Sequence, residues 1–173
     1  MLANKFISFG KIALVSGIIL TANSWFESTT QSWGLSASKA VASEYSNNSD
    51  ITSSEQEIES IESLLDANIQ AYQEEDLDRV MNTMHPNSPS NSEVKQISEY
   101  AFEYYDISYE KNSFEVVSLS DSDAIVRITQ TARTMQSSDF KNNRTTSLQT
   151  LKKYNGQWKF FGFIGVENVE YLN

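Results

Sequence analysis

The sequence predicts an α+β fold in which three helices come first and an antiparallel sheet follows. Apolar residues recur at helical spacing as far as about residue 105, and after Asp106 they alternate with a period of two. Near the end, Asn155-Gly156 separates two strand-like runs. Asn-Gly is a strong hairpin signal, because both central residues of a type I′ turn need a positive φ. The order of helices and strands therefore fixes the class.

The first helix is predicted to begin near Ser54, because Ser54-x-x-Glu57 has the form of a capping box. Apolar side chains behind it recur every three or four residues and share one helical face: Ile58, Ile61, Leu65, Ile69 and Tyr72.

Two shorter helices are predicted next. Asp76 is expected to cap one that ends at His85-Pro86, since proline disfavours helical geometry in the residue before it. Ser92 is expected to cap the other, which carries Val94, Ile97, Ala101 and Tyr104 on one face.

Four strands are predicted over residues 114–119, 124–135, 146–154 and 157–164, with a loop over 137–143. A two-residue turn at Asn155-Gly156 would pair Lys153 with Trp158, Leu151 with Phe160, and Gln149 with Gly162 on one face. The opposite face would then carry Leu148, Thr150, Phe161 and Phe163.

The N-terminus suggests export. Lys5 and Lys11 precede an apolar run over residues 12–22, whose 11 residues suit a signal peptide and fall short of the ~20 that span a membrane. Cleavage after Ala42 fits an A-x-A site, and Ala22-Asn23-Ser24 is a candidate nearer to the apolar run. The run can instead remain as a membrane anchor. We predict a signal peptide or membrane segment with linker over 1–42, a disordered linker over 43–53 and one domain over 54–173.

The composition excludes several functions. The chain has 173 residues with 23 acidic and 13 basic side chains, and this acidity disfavours nucleic-acid binding. With no cysteine, it has no disulfides, thiolate zinc sites or cysteine nucleophiles. A single histidine almost excludes a histidine-based metal site, and we expect no metal or other cofactor.

Two segments resemble a known family. Residues 71–81, Ala-Tyr-Gln-Glu-Glu-Asp-Leu-Asp-Arg-Val-Met, are similar to the acidic break between two helices in the nuclear transport factor 2-like superfamily, which includes SnoaL-like cyclases and ketosteroid isomerase. Residues 151–160, Leu-Lys-Lys-Tyr-Asn-Gly-Gln-Trp-Lys-Phe, look like its closing hairpin. The resemblance implies a cone-shaped cystatin-like fold that encloses a pocket. It implies no function, since the superfamily holds enzymes, carriers and interaction modules.

Enzymes of this superfamily place an acid or a histidine inside the cone. The strand faces predicted to line the cone carry apolar groups and amides but no carboxylate, which argues against an isomerase or dehydratase. His85, the only histidine, is the one catalytic candidate. It is either a general base at the mouth of the cone or a residue that meets the carbonyls at the end of the second helix.

The remaining site candidates are pocket-lining residues. Tyr100 and Tyr104 either line a pocket or pack the third helix on the sheet. The full set of predicted pocket residues is Tyr100, Tyr104, Gln130, Gln149, Trp158 and Phe160.

We therefore expect an exported, non-catalytic domain that binds a small apolar ligand or a protein partner. The alternatives are a SnoaL-type cyclase or isomerase that uses His85, and a membrane-anchored assembly module. Export would lead to the periplasm, a lumen or the medium, whereas membrane contact requires that residues 12–22 be retained. A homodimer through the sheet is also expected, because the closing hairpin is apolar on both faces and helices cover one.

Overall fold

The computed structural model describes residues 48–136 and 140–173, with side chains from residue 53 onward. In these residues three helices precede four strands, as predicted, and the α+β class is confirmed. The helices are α1 (Asn48–Gln73), α2 (Leu77–Thr83) and α3 (Asn91–Tyr104). The strands are β1 (Ile107–Leu119), β2 (Asp123–Thr134), β3 (Asn143–Tyr154) and β4 (Gln157–Tyr171).

The strands form one antiparallel sheet in the order β1-β2-β3-β4, so each strand pairs with its neighbour in sequence. The helices pack on one face of this sheet and bury an apolar core against it. Both the helices and the sheet contribute large, fully buried side chains to that core: Ile61, Leu65, Tyr72, Val126, Leu151 and Phe160. This is the curved sheet under helices that the resemblance implies.

The helix α1 begins at Asn48, six residues before the predicted start at Ser54. Ser54 therefore lies inside the helix, and the predicted capping box at its N-terminus is wrong. The carboxylate of Glu57 bonds to side chains of the sheet. Such a partner lies about a hundred residues away in sequence and leaves no local signature.

The predicted N-cap residue is correct for α2 and is displaced by two positions for α3. Asp76 caps α2 as predicted, since its Oδ1 accepts a hydrogen bond from the Arg79 amide at 3.0 Å. The residue before α3 is Ser90, two positions ahead of the predicted Ser92. After α2 the chain forms a bridge from Met84 to Phe160, so pairing with the sheet accompanies the end of this helix before Pro86.

The Asn-Gly hairpin forms as predicted at its turn. Asn155 has a φ of 50° and Gly156 a φ of 78°, and Leu151 pairs with Phe160. The next predicted pair is wrong, because Gln149 lies opposite Phe163 instead of Gly162. Phe161 is an extra, unpaired residue at this point, and such a bulge moves every later side chain to the other face.

The strand β4 contains three such bulges against β3, where the register shifts at Phe161, Ile164 and Glu167. As a result 15 residues of β4 lie along 12 residues of β3. Phe163 consequently shares the inner face with Gln149. Strict alternation along an unbulged strand had predicted it on the opposite face. The same bulges explain why β4 continues to Tyr171, past the predicted end at residue 164.

Predictions for residues 1–47 lie outside the described residues, as does the 137–139 part of the predicted loop. The neighbouring Phe140 is buried against the core. In the described ranges, no helix is both long and apolar enough to cross a bilayer.

Candidate ligand-binding site

The inner face of β3 is polar along most of its length. Asn143, Thr145, Ser147 and Gln149 alternate along the strand, and each is 1% exposed. Gln130 on β2 lies opposite Thr145 and is 3% exposed. Strand positions that face a core are normally apolar. These five residues form a polar surface under the helices, which we call the polar wall.

Part of the polar wall is satisfied internally. The Asn143 Nδ2 donates to the Lys141 carbonyl at 2.9 Å, and the Thr145 hydroxyl donates to Asn143 Oδ1 at 3.0 Å. By contrast, the Nε2 atoms of Gln130 and Gln149 are buried and have no hydrogen-bond partner in the part of the chain that the structure describes. A buried donor left unpaired costs about 1–3 kcal/mol.

The helix layer adds further polar groups to the interior. The hydroxyls of Tyr72 on α1 and Ser98 on α3 lie 3.0 Å apart. The Asn68 Nδ2 donates to the Thr83 hydroxyl of α2 at 2.8 Å. Asn68, Thr83 and Ser98 were not among the predicted site residues, and Tyr72 was predicted only as part of the apolar face of α1. The available signal was a polar residue on an apolar helical stripe, because Ser98 lies one turn after Val94 on the buried side of α3.

The interior carries no buried carboxylate among the described residues, and these contain no cluster of metal ligands. Burial raises the pKa of Tyr109 well above its ordinary value of 10, and the neighbouring Tyr72 and Glu75 add to the effect. The phenol is therefore protonated at neutral pH. The described part of the interior therefore offers neutral hydrogen-bonding groups.

Trp158 and Phe160, two of the predicted pocket residues, are buried at the turn end of the sheet. The Trp158 indole donates to Glu57 Oε2 at 2.7 Å, and Lys153 donates to Glu57 Oε1 at 2.6 Å. The Lys153 ammonium also lies 4.9 Å from the centre of the Trp158 ring. Lys153 and then Trp158 lower the pKa of Glu57 below its ordinary value of 4.5. This cluster fastens α1 to the hairpin.

Tyr100 and Tyr104 lie on the surface of α3, where they are 38% and 57% exposed. Their rings contact each other, with centres 4.7 Å apart. The structure therefore places Gln130 and Gln149 on the same face of the sheet, four positions apart in the register of β2 and β3, and places these two tyrosines on the surface.

His85 packs beside the hairpin turn. Its ring meets Tyr154 and Phe161 nearly edge-on, at 5.4 and 5.3 Å between centres, and its Nδ1 accepts a hydrogen bond from the Asn87 amide at 3.1 Å. Among the described residues no carboxylate forms an ion pair with the ring. His85 is thus held by aromatic packing beside the hairpin.

Solved structures share the fold at low sequence identity. A candidate scytalone dehydratase from Novosphingobium aromaticivorans aligns with a TM-score of 0.60 at 14% identity, over 71% of this chain and 92% of that protein. A protein of unknown function from Mycobacterium tuberculosis aligns with a TM-score of 0.57 at 11% identity, over 64% and 71%. A Nostoc punctiforme protein described as cystatin-like aligns with a TM-score of 0.50 at 12% identity, over 59% and 84%. The nuclear transport factor 2-like fold is confirmed.

Sequence comparison supplies the family. No curated protein sequence matches the chain. The family model described as "Anti-sigma-I factor RsgI9, C-terminal domain" matches residues 63–172, which include the C-terminal part of α1 and every later element. The match is to this family and not to the SnoaL-like cyclases. The chain belongs to the anti-sigma-I factor RsgI9 C-terminal domain family.

Proposed function

We propose that this chain is an exported, non-catalytic ligand-binding domain that serves as the sensing part of a transcriptional regulator of the anti-sigma type. The observation that carries the proposal is the pair of buried amide donors on Gln130 and Gln149, which have no partner among the described residues. The family description supports the regulatory context. Export is supported by the sequence of residues 1–42.

The two unpaired amides destabilise the ligand-free state of the domain relative to a state in which a ligand satisfies them. Each amide nitrogen is closed to water, so the packed state carries the cost of a lost hydrogen bond at both positions. A ligand that brings acceptors to the polar wall removes this cost and requires the helix layer to move outward. Binding would then shift the domain between two packed states, which is what a sensor needs.

The interior also indicates the class of ligand. It should be uncharged, since an ion in this interior would lack a buried partner of opposite charge among the described residues. It should carry carbonyl or hydroxyl oxygens for the two amides, together with an apolar part that contacts the neighbouring Ile128. This refines the small apolar ligand that the sequence predicted.

Methionine substitutions test the role of the amides. Gln149→Met and Gln130→Met keep the size of the side chain and remove the unpaired donor. We expect each to raise the free energy of unfolding in urea by about 1 kcal/mol, whereas Gln96→Met on the exposed face of α3 should change it by less than about 0.5 kcal/mol.

Native mass spectrometry of protein isolated from its producing organism tests the binding itself. We expect a neutral small molecule to accompany the wild type and the Gln96→Met protein but not the Gln130→Met/Gln149→Met double variant. A loss of stability on both methionine substitutions, or equal loading of all three proteins, would contradict the proposal.

A further inference from the structure

A concavity lies on the surface of the protein, beside the Asn-Gly turn. It has a volume of about 400 Å³ and lies between the end of α2, the segment that follows it and the hairpin. We call it the turn pocket. Its size is within the range of pockets that hold small organic molecules.

One side of the turn pocket is apolar. Met81, Met84 and Pro86 contribute aliphatic and thioether surface, and Tyr154 contributes an aromatic ring that is 43% exposed. The Tyr154 ring is held from behind by His85, so it forms a firm platform. Methionine and an aromatic ring together suit a flat or branched hydrocarbon body.

The charge of the turn pocket is unusual for this protein. Its nine lining residues include one lysine, Lys159, and no acid, although acids outnumber basic residues by 23 to 13 in the chain. The Lys159 ammonium donates to the Asn82 carbonyl at 2.6 Å and contacts no carboxylate among the described residues. Two of its three N–H donors are therefore available to a ligand.

Another concavity of the surface holds a lysine whose charge is matched by an acid. That concavity, of about 360 Å³, contains Lys152, the strand partner of Lys159. There the ammonium lies 3.1 Å from the Asp123 carboxylate in the same concavity, so its charge is already matched. Of these two concavities, the turn pocket is the one in which a lysine meets an apolar wall without an acid in the lining.

The wall also holds a polar group without a partner. The Asn91 Nδ2 donates to the carbonyls of His85 and Pro86, both at 3.0 Å, which fixes the orientation of the amide. Its Oδ1 then accepts no hydrogen bond from any described residue. A small movement of the wall would offer this oxygen to a donor on a ligand.

We propose that the turn pocket binds an organic carboxylate with an apolar body, with the carboxylate on Lys159 and the body on the Tyr154 platform. The carboxylate can belong to a free acid or to the C-terminal residue of a peptide. The proposal is independent of the polar wall, because none of the five wall residues lines the turn pocket.

The test uses the full chain and three probes that share one apolar body. Binding of 3-phenylpropionate, 3-phenylpropionamide and 3-phenylpropylamine is followed by NMR chemical shifts. We expect saturable shifts at Tyr154 and Lys159 with the acid, and affinity at least about tenfold weaker for the amide and the amine, since a charge-assisted hydrogen bond is lost. Equal affinity for the acid and the amide would overturn the proposal.

Variants locate the binding group. Lys159→Met should lower the affinity for 3-phenylpropionate by about tenfold. Lys159→Arg should retain the affinity, since arginine keeps the charge. Lys152→Met is the matched control on the neighbouring strand and should leave the affinity unchanged. Unfolding curves establish that each variant is folded. If Lys152→Met weakens binding as much as Lys159→Met, the pocket assignment is wrong.

A peptide arm distinguishes the two sources of carboxylate. N-acetyl-glycyl-phenylalanine carries the same ring and carboxylate together with an amide N–H. Tighter binding than 3-phenylpropionate, with a shift at Asn91, assigns a peptide C-terminus. Weaker binding of the peptide assigns a free acid, and both assignments require the loss on Lys159→Met. Gln149→Met should bind both probes as the wild type does.

Discussion

The indole nitrogen of Trp158 on β4 donates a hydrogen bond to the Glu57 carboxylate on α1, across 101 residues of sequence. Glu57 also binds Lys153, so one carboxylate fastens the first helix to both strands of the hairpin. Trp158 is 3% exposed, so its indole N–H is left without a hydrogen-bond acceptor when the carboxylate is removed.

We expect Glu57→Ala to lower the free energy of unfolding by about 1–3 kcal/mol, because it leaves the buried Trp158 donor unpaired. Glu57→Gln keeps an acceptor for the indole and should cost less. Urea unfolding measures both values. Glu55→Ala, two residues away on the exposed side of α1, is the control and should have little effect. A loss at residue 55 equal to that at residue 57 would mean that helix propensity, and not the contact, is responsible.

The same contact predicts a pH dependence. The pKa of Glu57 is lowered in the folded protein, first by Lys153 and then by Trp158. A carboxylate with a depressed pKa stabilises the fold fully above its ordinary value, here 4.5, and loses that contribution as the pH falls through the lowered value. The stability gap between wild type and Glu57→Gln should therefore be widest at neutral pH and should shrink below 4.5. A gap that grows in acid would contradict the assignment.

The glycines of the hairpin should differ in their tolerance to a side chain. Gly156 has a φ of 78°, so Gly156→Ala should cost about 1 kcal/mol of strain. Gly165→Ala is the matched control, since an added Cβ there meets nothing within 4 Å. Thermal unfolding should show a clear loss for the first variant only. Equal melting temperatures for both would show that the turn relaxes to another type.

We expect His85→Ala to destabilise the protein by about 1–3 kcal/mol, because the imidazole packs against Tyr154 and Phe161. The neighbouring Asn87→Ala should be close to neutral, as the hydrogen bond to His85 comes from the Asn87 backbone. Chemical denaturation compares the two. A His85→Ala protein of unchanged stability that lost turnover of a cyclic carbonyl compound would instead support the enzyme alternative.

The expected homodimer through the sheet stays a prediction. The outer face carries apolar surface at Ile164, which is 47% exposed and lies at the second bulge of β4. We expect a dimer by light scattering at micromolar concentration and a monomer for Ile164→Glu, which adds charge to that face. Met135→Glu, at a residue that is 87% exposed just beyond β2, should remain dimeric. A monomeric wild type would refute the prediction.

Local chemistry explains which parts of the fold were predictable. Asn155-Gly156 and Asp76 determine their own turn and cap through interactions with adjacent residues, and both were predicted correctly. The role of Glu57 depends on residues about a hundred positions away, and the bulge at Phe161 depends on the curvature of the whole sheet. Neither leaves a local pattern.

The candidate site shows the same division. Alternation along β3 placed Gln149 on the inner face, and the same rule placed Gln130 there on β2. Alternation could not show that both amides lack partners, because that depends on how the helices approach the sheet. Helical periodicity likewise does not decide whether Tyr100 and Tyr104 line a pocket or lie on the surface, since an aromatic residue on a helix can do either.

The three bulges of β4 bend this strand and make it three residues longer than the part of β3 with which it pairs. Phe161, Ile164 and Glu167 lie opposite no residue of β3. Removing any one of them would keep all later pairs in register and would flatten the bend at that point. Removing a paired residue would turn every side chain beyond it to the wrong face. Chain length and register are therefore uncoupled at three positions, so the width of the cone can be changed there one residue at a time without altering which side chains face the interior.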